Sequence, residues 1–358
     1  MIKTNEPAER RRGRKRATAL AAAAMTVAPA ACTLAAAPGA VRVTAPAGTA
    51  AWRADGRHLP DPVTADPVTV HRFLAAAGTA EQRELAAEYP GVLGGLDGAP
   101  VASRYAANRR AMDAAGPPYR GRPGRYLLFD ARGDGRVAQV FGDLRAADRI
   151  AVLVPGAGAR GANFWTGVGG RRFRSPAVQA AGLYREAARY GGRIAVIAWL
   201  GYETPKGIEA AEAREDLARA GAAALERFVA GLVAVRPGAT VALLGHSYGS
   251  TVIGTAAPRL PAQVTDLAVF GSPGMGVHDV TGLGTSARVW AGQSARDWIR
   301  WVPGVQVFGL GHGTKPADPA FGAQVFPTAD VTGHDHYLSP GTDSLTALAR
   351  IAAYGGRT

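Results

Sequence analysis

The most constraining feature of this 358-residue sequence is a short motif in its second half. The apolar run 240–244 leads into Gly245-His246-Ser247-Tyr248-Gly249, and a helical pattern follows over residues 250–257. In the order strand, sharp turn, helix, the pattern G-x-S-x-G projects a serine hydroxyl from the carboxyl edge of a sheet. Flanking glycines lack the Cβ atoms that would clash in so tight a turn. The motif therefore predicts a buried sheet and a nucleophilic Ser247.

Short apolar runs on both sides of this motif predict the other strands. Residues 126–130 and 136–141 flank Gly133-Asp134-Gly135, which is a hairpin signal. Further runs lie at 150–154, 193–200, 267–270, 288–291 and 323–326. Helical patterns separate several of them, most clearly over residues 207–235, where the apolar positions fall on one face. Strands that alternate with such helices predict an α/β fold whose mostly parallel sheet is flanked by helices.

The first 37 residues have the pattern of an export signal. Residues 10–16 are basic, residues 17–31 hold no charge, and small residues continue to Ala37. Adjacent arginines are also typical of twin-arginine signals. We expect a cleaved signal peptide and a secreted or envelope protein, with membrane contact only through an N-terminal anchor. Lipidation at Cys32, which Pro29 disfavours, an uncleaved anchor and a cytoplasmic tail are the alternatives.

The rest of the chain divides by composition into three parts. Residues 38–67 are rich in Pro, Ala, Gly and Asp, which predicts a linker. Residues 68–120 form a helical extension that we expect to brace the sheet rather than to act as a lid. Residues 121–358 carry the strands and the serine motif.

Composition excludes several classes of function. A single cysteine allows no intrachain disulfide and no thiolate zinc cluster. The formal net charge is +13, but residues 1–37 hold seven basic and two acidic side chains of the total, and nearly all basic residues are arginine. No basic run interleaved with aromatics follows residue 37, so we expect no nucleic-acid partner. The residues require no metal or organic cofactor, since His334-Asp335-His336 is an incomplete ligand set.

A nucleophilic serine needs a histidine base that is oriented by an acid, in the chain order serine, acid, histidine. His334 and His336 lie between the last predicted strand and a final helix near residues 339–341, where the base belongs. Asp297 follows the strand 288–291 by a short loop, which is the usual place for the acid. Asp279, after the preceding strand, and Asp330, close to the histidines, are the alternatives.

The oxyanion of an acyl-transfer intermediate needs two backbone N–H donors. We expect one from Tyr248, which follows the serine, and one from Ala157 in the loop after strand 150–154, with Gly158 as the alternative. The loop 201–207 is a candidate entry to the site. Six aromatic residues are expected near the same edge, either as an apolar pocket or as core: Phe164, Trp165, Trp199, Tyr202, Trp298 and Trp301.

The ordered set of motifs resembles an actinobacterial α/β-hydrolase family of uncharacterised function. The resemblance covers roughly residues 70–350, and the elbow at Gly245–Ser250 is its most specific part. The other motifs are Leu96-Asp97-Gly98-Ala99-Pro100 with Asn108-Arg109, Val154-Pro155-Gly156, Trp199-Leu200-Gly201-Tyr202, Gly271-Ser272-Pro273-Gly274-Met275-Gly276, and Gly333-His334 with Tyr337. It implies an α/β-hydrolase core with an N-terminal helical extension. The family's Gly-His-x-x-Tyr pattern implies His334 as the base, with His336 as the alternative.

These observations predict a serine hydrolase that cleaves carboxylic esters of small molecules or lipids through an acyl-enzyme on Ser247. A peptidase or amidase on the same triad is the first alternative, because fold does not fix function. The second is a catalytically idle module that binds an anionic envelope polymer through its arginines.

Overall fold

The apolar runs of the sequence come together as one eight-stranded sheet. The computed structural model describes residues 44–206, 215–302 and 313–355. Within these ranges the strands are β1 (Arg125–Asp130), β2 (Arg136–Gly142), β3 (Arg149–Val154), β4 (Ile194–Leu200), β5 (Thr240–His246), β6 (Val264–Phe270), β7 (Arg288–Gly292) and β8 (Gln324–Val325). The predicted hairpin is confirmed, since β1 and β2 pair antiparallel.

The order of the strands across the sheet is β1-β2-β4-β3-β5-β6-β7-β8. β2 pairs antiparallel with β4, and every later pair is parallel. This order places β5 near the middle of the sheet, between β3 and β6. The carboxyl ends of β3, β5, β6 and β7 therefore meet at one edge, and the loops that leave them share one region.

Helices cover both faces of this sheet. In the described ranges they are α1 (Thr49–Arg53), α2 (Pro67–Glu88), α3 (Pro90–Leu93), α4 (Val101–Ala115), α5 (Pro176–Ala188), α6 (Glu215–Val235), α7 (Tyr248–Ala256) and α8 (Asp343–Tyr354). Side chains of α6 and α7 pack with Val152 and Leu243 on one face, and those of α5 and α8 pack with Leu153 and Leu244 on the other. Alternate residues of each central strand thus serve opposite cores, which confirms the predicted α/β class.

The stretch predicted as a linker is packed from residue 44 onward. Trp52 of α1 is fully buried with Leu74 and Leu85 of α2, and its indole Nε1 donates to the carbonyl of Pro60 at 2.8 Å. The prediction of a linker is therefore wrong for residues 44–67. The residues against which Trp52 packs lie on α2, which comes later in the chain. The described residues, from 44 onward, belong to one compact unit. Residues 1–43, with the predicted export signal, lie outside the described residues.

Helix α4 is fastened to the outermost strand, β1, by side chains that bond to the backbone. The register of β1 shifts at Leu127, which leaves its carbonyl outside the ladder. Nε of Arg104 donates to that carbonyl at 3.1 Å, and Nδ2 of Asn108 donates to the carbonyl of Tyr126 at 2.7 Å. Buried polar groups of the helix therefore satisfy the backbone of the edge strand. This arrangement supports a bracing role for the helical extension.

None of the helices in the described ranges is long and apolar enough to cross a membrane.

Candidate active site

Ser247 lies at a sharp turn between β5 and α7. Its backbone dihedrals are φ 53° and ψ −124°, a conformation that residues with a side chain rarely adopt. A Cβ atom on Gly249 would lie 2.4 Å from the carbonyl oxygen of Val154, and one on Gly245 would lie 3.0 Å from the carbonyl oxygen of Gly249. The two glycines of the motif are therefore required by close backbone contacts. The surrounding packing holds a strained turn, as is typical of functional sites.

Ser247, His334 and Asp297 are brought together from three separate loops. Oγ of Ser247 lies 2.9 Å from Nε2 of His334. Nδ1 of the same ring lies 2.9 Å and 3.0 Å from the two carboxylate oxygens of Asp297. The carboxylate fixes the proton on Nδ1, which leaves Nε2 free to accept the serine proton. This is the geometry of a nucleophile, a base and an orienting acid.

The carboxylate of Asp297 is fully buried and still well satisfied. Burial alone would raise its pKa, but hydrogen bonds from His334, from the amide of Ile299 and from the Tyr337 hydroxyl outweigh this effect and hold the pKa below its usual value. Asp297 therefore stays ionised at neutral pH, as an acid that stabilises an imidazolium must.

Tyr337 is the second partner of this carboxylate. Its hydroxyl donates to Oδ2 of Asp297 at 2.7 Å and accepts from the amide of Ser294 at 2.9 Å. Burial and the neighbouring carboxylate raise the pKa of Tyr337, so the hydroxyl keeps its proton and remains a donor. The family pattern marked Tyr337, and the structure gives its physical role.

His246 contacts the backbone of His334, an interaction that the sequence analysis did not predict. Its Nε2 donates to the carbonyl oxygen of His334 at 2.8 Å, and its ring stacks on Phe270 with centroids 5.4 Å apart. Burial, and next the nearby His334, lower the pKa of His246 to about 4. The ring is therefore neutral at neutral pH. The variable position of the G-x-S-x-G pattern gave no signal for this contact.

Two glycines outside the motif touch the reacting groups. A Cβ atom on Gly156 would lie 2.7 Å from Cβ of Ser247 and 3.3 Å from its Oγ. One on Gly271, whose φ is +54°, would lie 3.0 Å from Oδ2 of Asp297. The glycines in the predicted loops after β3 and β6 thus leave room for the triad geometry. Their motifs were visible in the sequence, but the contacts were not.

The predicted oxyanion donors differ in their surroundings. Tyr248 is the first residue of α7 and is completely buried next to Ser247. Ala157 lines the same cleft as Ser247, and within the described part of the chain its amide donates no hydrogen bond. The amide of Gly158 donates to the carbonyl of Pro205 at 2.9 Å, so this alternative is engaged elsewhere. Tyr248 and Ala157 thus remain the donors that we expect.

The two alternative acids and the alternative base make local contacts away from Ser247. Asp279 caps a short 3₁₀ turn by accepting from the amides of Thr281 and Gly282. Asp330 accepts from the amide of Asp343 at the start of α8. Nδ1 of His336 lies 3.1 Å from the Ser339 hydroxyl. None of the three is among the hydrogen-bond partners of the Ser247–His334 pair in the described ranges.

A solvent-open cleft of about 480 Å³ lies over Ser247 and His334. Its other lining includes Trp298, Arg174 and Asp335. Of the six aromatic residues considered for a pocket, Trp298 alone lines this cleft among the described residues. Phe164, Trp199 and Tyr202 are buried core, Trp165 is half-buried, and Trp301 is 77% exposed. Of the two alternatives left open for these residues, core therefore holds for Phe164, Trp199 and Tyr202. The lining of the cleft is largely polar and includes Arg174, Gln179 and Asp335.

Other candidates fall away or lie outside the described residues. His312, a further histidine downstream of Ser247 that the sequence places among glycines, lies outside the described residues, as does residue 207 at the end of the predicted entry loop. In the described ranges no group of three or more His, Cys, Asp or Glu side chains is placed to hold a metal ion.

A mostly parallel sheet between two helical layers, with a serine at the turn between a central strand and its helix, defines the α/β-hydrolase fold. Comparison with protein-family models agrees: residues 130–307, just under half of the chain, match the family described as "Alpha/beta hydrolase". This chain therefore has the α/β-hydrolase fold.

The curated relatives carry no assigned function. The uncharacterized protein Rv2079 of Mycobacterium tuberculosis is 28% identical over 382 residues, which covers 83% of this chain and 57% of the relative. The uncharacterized protein Mb0988c of Mycobacterium bovis is 32% identical over 168 residues, covering 44% of this chain and 60% of the relative. The chain thus spans little more than half the length of the curated relatives that it matches.

Solved structures with a similar fold are distant. A serine hydrolase without a lid, XC6422 from Xanthomonas campestris, has a TM-score of 0.37 at 15% identity, over 65% of this chain and 93% of that one. An esterase domain from Rhodothermus marinus has a TM-score of 0.36 at 13% identity, over 63% and 94%. These values are too low to transfer a substrate or a mechanism.

Proposed function

We propose that this protein is a serine hydrolase that cleaves carboxylic esters through an acyl-enzyme on Ser247. The observation that carries the proposal is the continuous chain of contacts from Oγ of Ser247 to Nε2 of His334, at 2.9 Å, and from Nδ1 to the buried Asp297, also at 2.9 Å. A serine hydroxyl is a weak nucleophile without such a partner. The contacts supply the missing base and its orienting acid.

The reaction has two stages. Oγ of Ser247 attacks the ester carbon while His334 takes the serine proton, and the amides of Tyr248 and Ala157 stabilise the oxyanion. The intermediate collapses, the bond to the alkoxy group breaks, and His334 returns the proton to the leaving alcohol. Water, deprotonated by His334, then attacks the acyl carbon; the bond to Oγ of Ser247 breaks, His334 returns the proton to Oγ, and the carboxylic acid leaves. Asp297 stabilises the imidazolium in both stages.

The ionised state of Asp297 makes this assignment physically consistent. A neutral acid would orient the histidine poorly and would leave the imidazolium unstabilised. Hydrogen bonds from three directions keep the carboxylate charged, although no water reaches it. The site is thus arranged for proton transfer at neutral pH.

Covalent labelling of the purified full-length protein tests the proposal. We expect a fluorescent fluorophosphonate to label Ser247, as located by peptide mass, and Ser247→Ala to lose the label together with ester hydrolysis. Ser286→Ala removes an exposed serine before β7 and serves as the matched control. Unchanged ester hydrolysis by Ser247→Ala, or a folded wild-type protein that takes no label, would refute the proposal.

Matched substrates separate the ester reaction from the peptidase alternative. We expect 4-nitrophenyl acetate to be hydrolysed far faster than 4-nitroacetanilide. The nitroanilide leaving group of the amide is much more basic than 4-nitrophenolate and has to be protonated before it can leave. Comparable rates on the two would replace the esterase assignment by an amidase.

We also propose export of the protein, on the strength of the basic and then apolar order of residues 1–37. Fusion of these residues to a reporter that acts only outside the cytoplasm tests this. A signal in which Arg11 and Arg12 are both replaced by Lys distinguishes a twin-arginine route from the general one, because only the former needs the pair.

A further inference from the structure

The cleft over Ser247 contains a cation that the proposed reaction does not use. Arg174 lines the cleft together with Ser247 and His334. Nε of Arg174 is buried and lies 3.1 Å from Oδ2 of Asp335, the residue after the base, in a charge pair that is not aligned as a hydrogen bond. Within the described ranges neither terminal nitrogen of its guanidinium has a hydrogen-bond partner. A half-buried cation thus faces the cleft with its terminal donors open.

The short segment that carries Arg174 is held firmly against the catalytic loop. The ring of Phe173 stacks on His336, with centroids 4.3 Å apart and planes 23° from parallel. Nε2 of Gln179, on α5, donates to the carbonyl of Phe173 at 2.9 Å. On the other side, Ser175 caps α5 and donates to the carbonyl of Phe164 at 2.7 Å. The backbone on both sides of Arg174 is therefore held in place before any ligand binds.

A guanidinium with open terminal nitrogens is suited to one kind of ligand. Its planar fork matches the two oxygens of a carboxylate, and such pairs are stronger than neutral hydrogen bonds. Asp335 lies against the Nε side of the guanidinium and orients it. The Arg174 side chain, which lines the cleft, is 27% exposed to solvent. An anionic group on a substrate would complete the coordination of the cation.

We propose that Arg174 recognises a carboxylate carried by the ester substrate, so that the protein prefers anionic over neutral esters. This inference rests on the proposed ester hydrolysis and specifies its substrate class. Arg174 acts as a specificity-determining residue, and Phe173, Gln179 and Asp335 position it. The carboxylate sits on the acyl or on the alcohol part of the ester, and the test distinguishes these two cases.

Isosteric pairs of esters test the proposal on the full-length protein. Monoethyl succinate and its neutral amide, ethyl succinamate, place the charge in the acyl part. Acetoxyacetate and acetoxyacetamide place it in the alcohol part. For at least one pair we expect kcat/KM to favour the anion, and Arg174→Gln to lower kcat/KM for that anion by about 10- to 100-fold while the neutral partner changes little.

Arg172→Gln is the matched control, since Arg172 is an exposed arginine two positions away, and it should change neither ester. Labelling of Arg174→Gln by fluorophosphonate at the wild-type rate shows that its site is folded. Equal loss on charged and neutral esters of both pairs, or no preference for the anion in the wild type, would overturn the inference. Ser247-dependent hydrolysis of the neutral esters would in that case leave the proposed function standing, whereas absence of all hydrolysis and labelling would refute both.

Discussion

Gly156 shows how little space surrounds the candidate nucleophile. Its Cα faces Ser247 so closely that a methyl group there would meet Cβ of the serine at 2.7 Å and the carbonyl oxygen of His246 at 3.0 Å. Real side chains do not tolerate the first of these distances, so the turn that holds Ser247 would have to move. The backbone of Gly156 has no positive φ, so an alanine would be strained by contact rather than by conformation.

We expect Gly156→Ala to lower kcat by about 100-fold, the usual cost of misplacing a reacting group by about 1 Å, with a smaller change in KM. Steady-state kinetics on a neutral ester measures both. Gly238→Ala, at an exposed turn where a Cβ meets nothing within 4 Å, is the control and should keep wild-type rates. A Gly156→Ala protein with unchanged kcat would show that the loop after β3 is free to retreat from Ser247.

Residue-level prediction from the sequence is possible where position in the fold constrains identity. Ser247 follows from the motif, and Asp297 follows from its place after β7, and the structure brings both to His334. His246, Gly156 and Arg174 could not be found in this way. Each acts through a contact with a loop that is distant in the chain, and a single sequence holds no record of which distant loops meet.

At the scale of elements, the strongest constraint is the attachment of α4 to β1. Asn108 spans two elements, since its Nδ2 donates both to the carbonyl of Tyr126 and to that of Gly94 at 2.8 Å. A Cβ on Gly94 would lie 2.4 Å from Oδ1 of Asn108, so that glycine makes room for the amide. Asn108 and Gly94 are therefore required together.

We expect Asn108→Ala to lower the free energy of unfolding by about 2 kcal/mol, because the buried carbonyl of Tyr126 loses its side-chain donor and that of Gly94 keeps only the longer contact from Arg104. Urea denaturation measures the loss, and ester hydrolysis per folded molecule should stay at the wild-type level. Arg110→Ala changes an exposed residue of the same helix and should leave the midpoint unchanged. If both variants unfolded at the wild-type midpoint, α4 would not be a brace.

Elements with a long apolar run were predictable, and short ones were not. All seven residues of β4 are buried, so its sequence is almost continuously apolar. Helix α1 has five residues, and its only strong signal, Trp52, is indistinguishable in sequence from an exposed aromatic in a linker. The last helix begins at Asp343, after the cap Thr342, slightly beyond the predicted start at 339–341. Capping geometry decides such boundaries, and periodicity does not resolve them.

For the whole molecule, pH acts through groups whose pKa differs between the folded and unfolded states. The pKa of His246 falls from an ordinary 6.5 to about 4 on folding. Between these values the unfolded chain binds a proton that the folded protein excludes. Stability is therefore complete above pH 6.5 and is lost as the pH falls toward 4. Asp297, whose pKa is lowered, adds a further loss only at more acidic pH, below the ordinary range of a carboxyl group.

We expect His246→Gln to flatten the pH dependence of stability. Between pH 7.5 and pH 4.5 the wild type should lose about 2–3 kcal/mol more of its free energy of unfolding than the variant does, because the unfolded chain protonates His246 in this range and the folded protein does not. Urea midpoints at the two pH values measure this difference. His278→Gln, at an exposed histidine, should behave as the wild type. Parallel curves for wild type and His246→Gln would mean that the buried ring does not resist protonation.

The attachment of α4 has a consequence for how the protein behaves in concentrated solution. An open sheet edge offers free backbone groups to which another chain can add a strand, which leads to aggregation. At one edge of this sheet, side chains of α4 occupy carbonyls of β1, and at the other edge β8 is only two residues long. A shortened chain that started at residue 121 would keep the catalytic loops and yet expose β1 to self-association. Soluble, crystallisable material therefore depends on keeping the segment from residue 44 to residue 120.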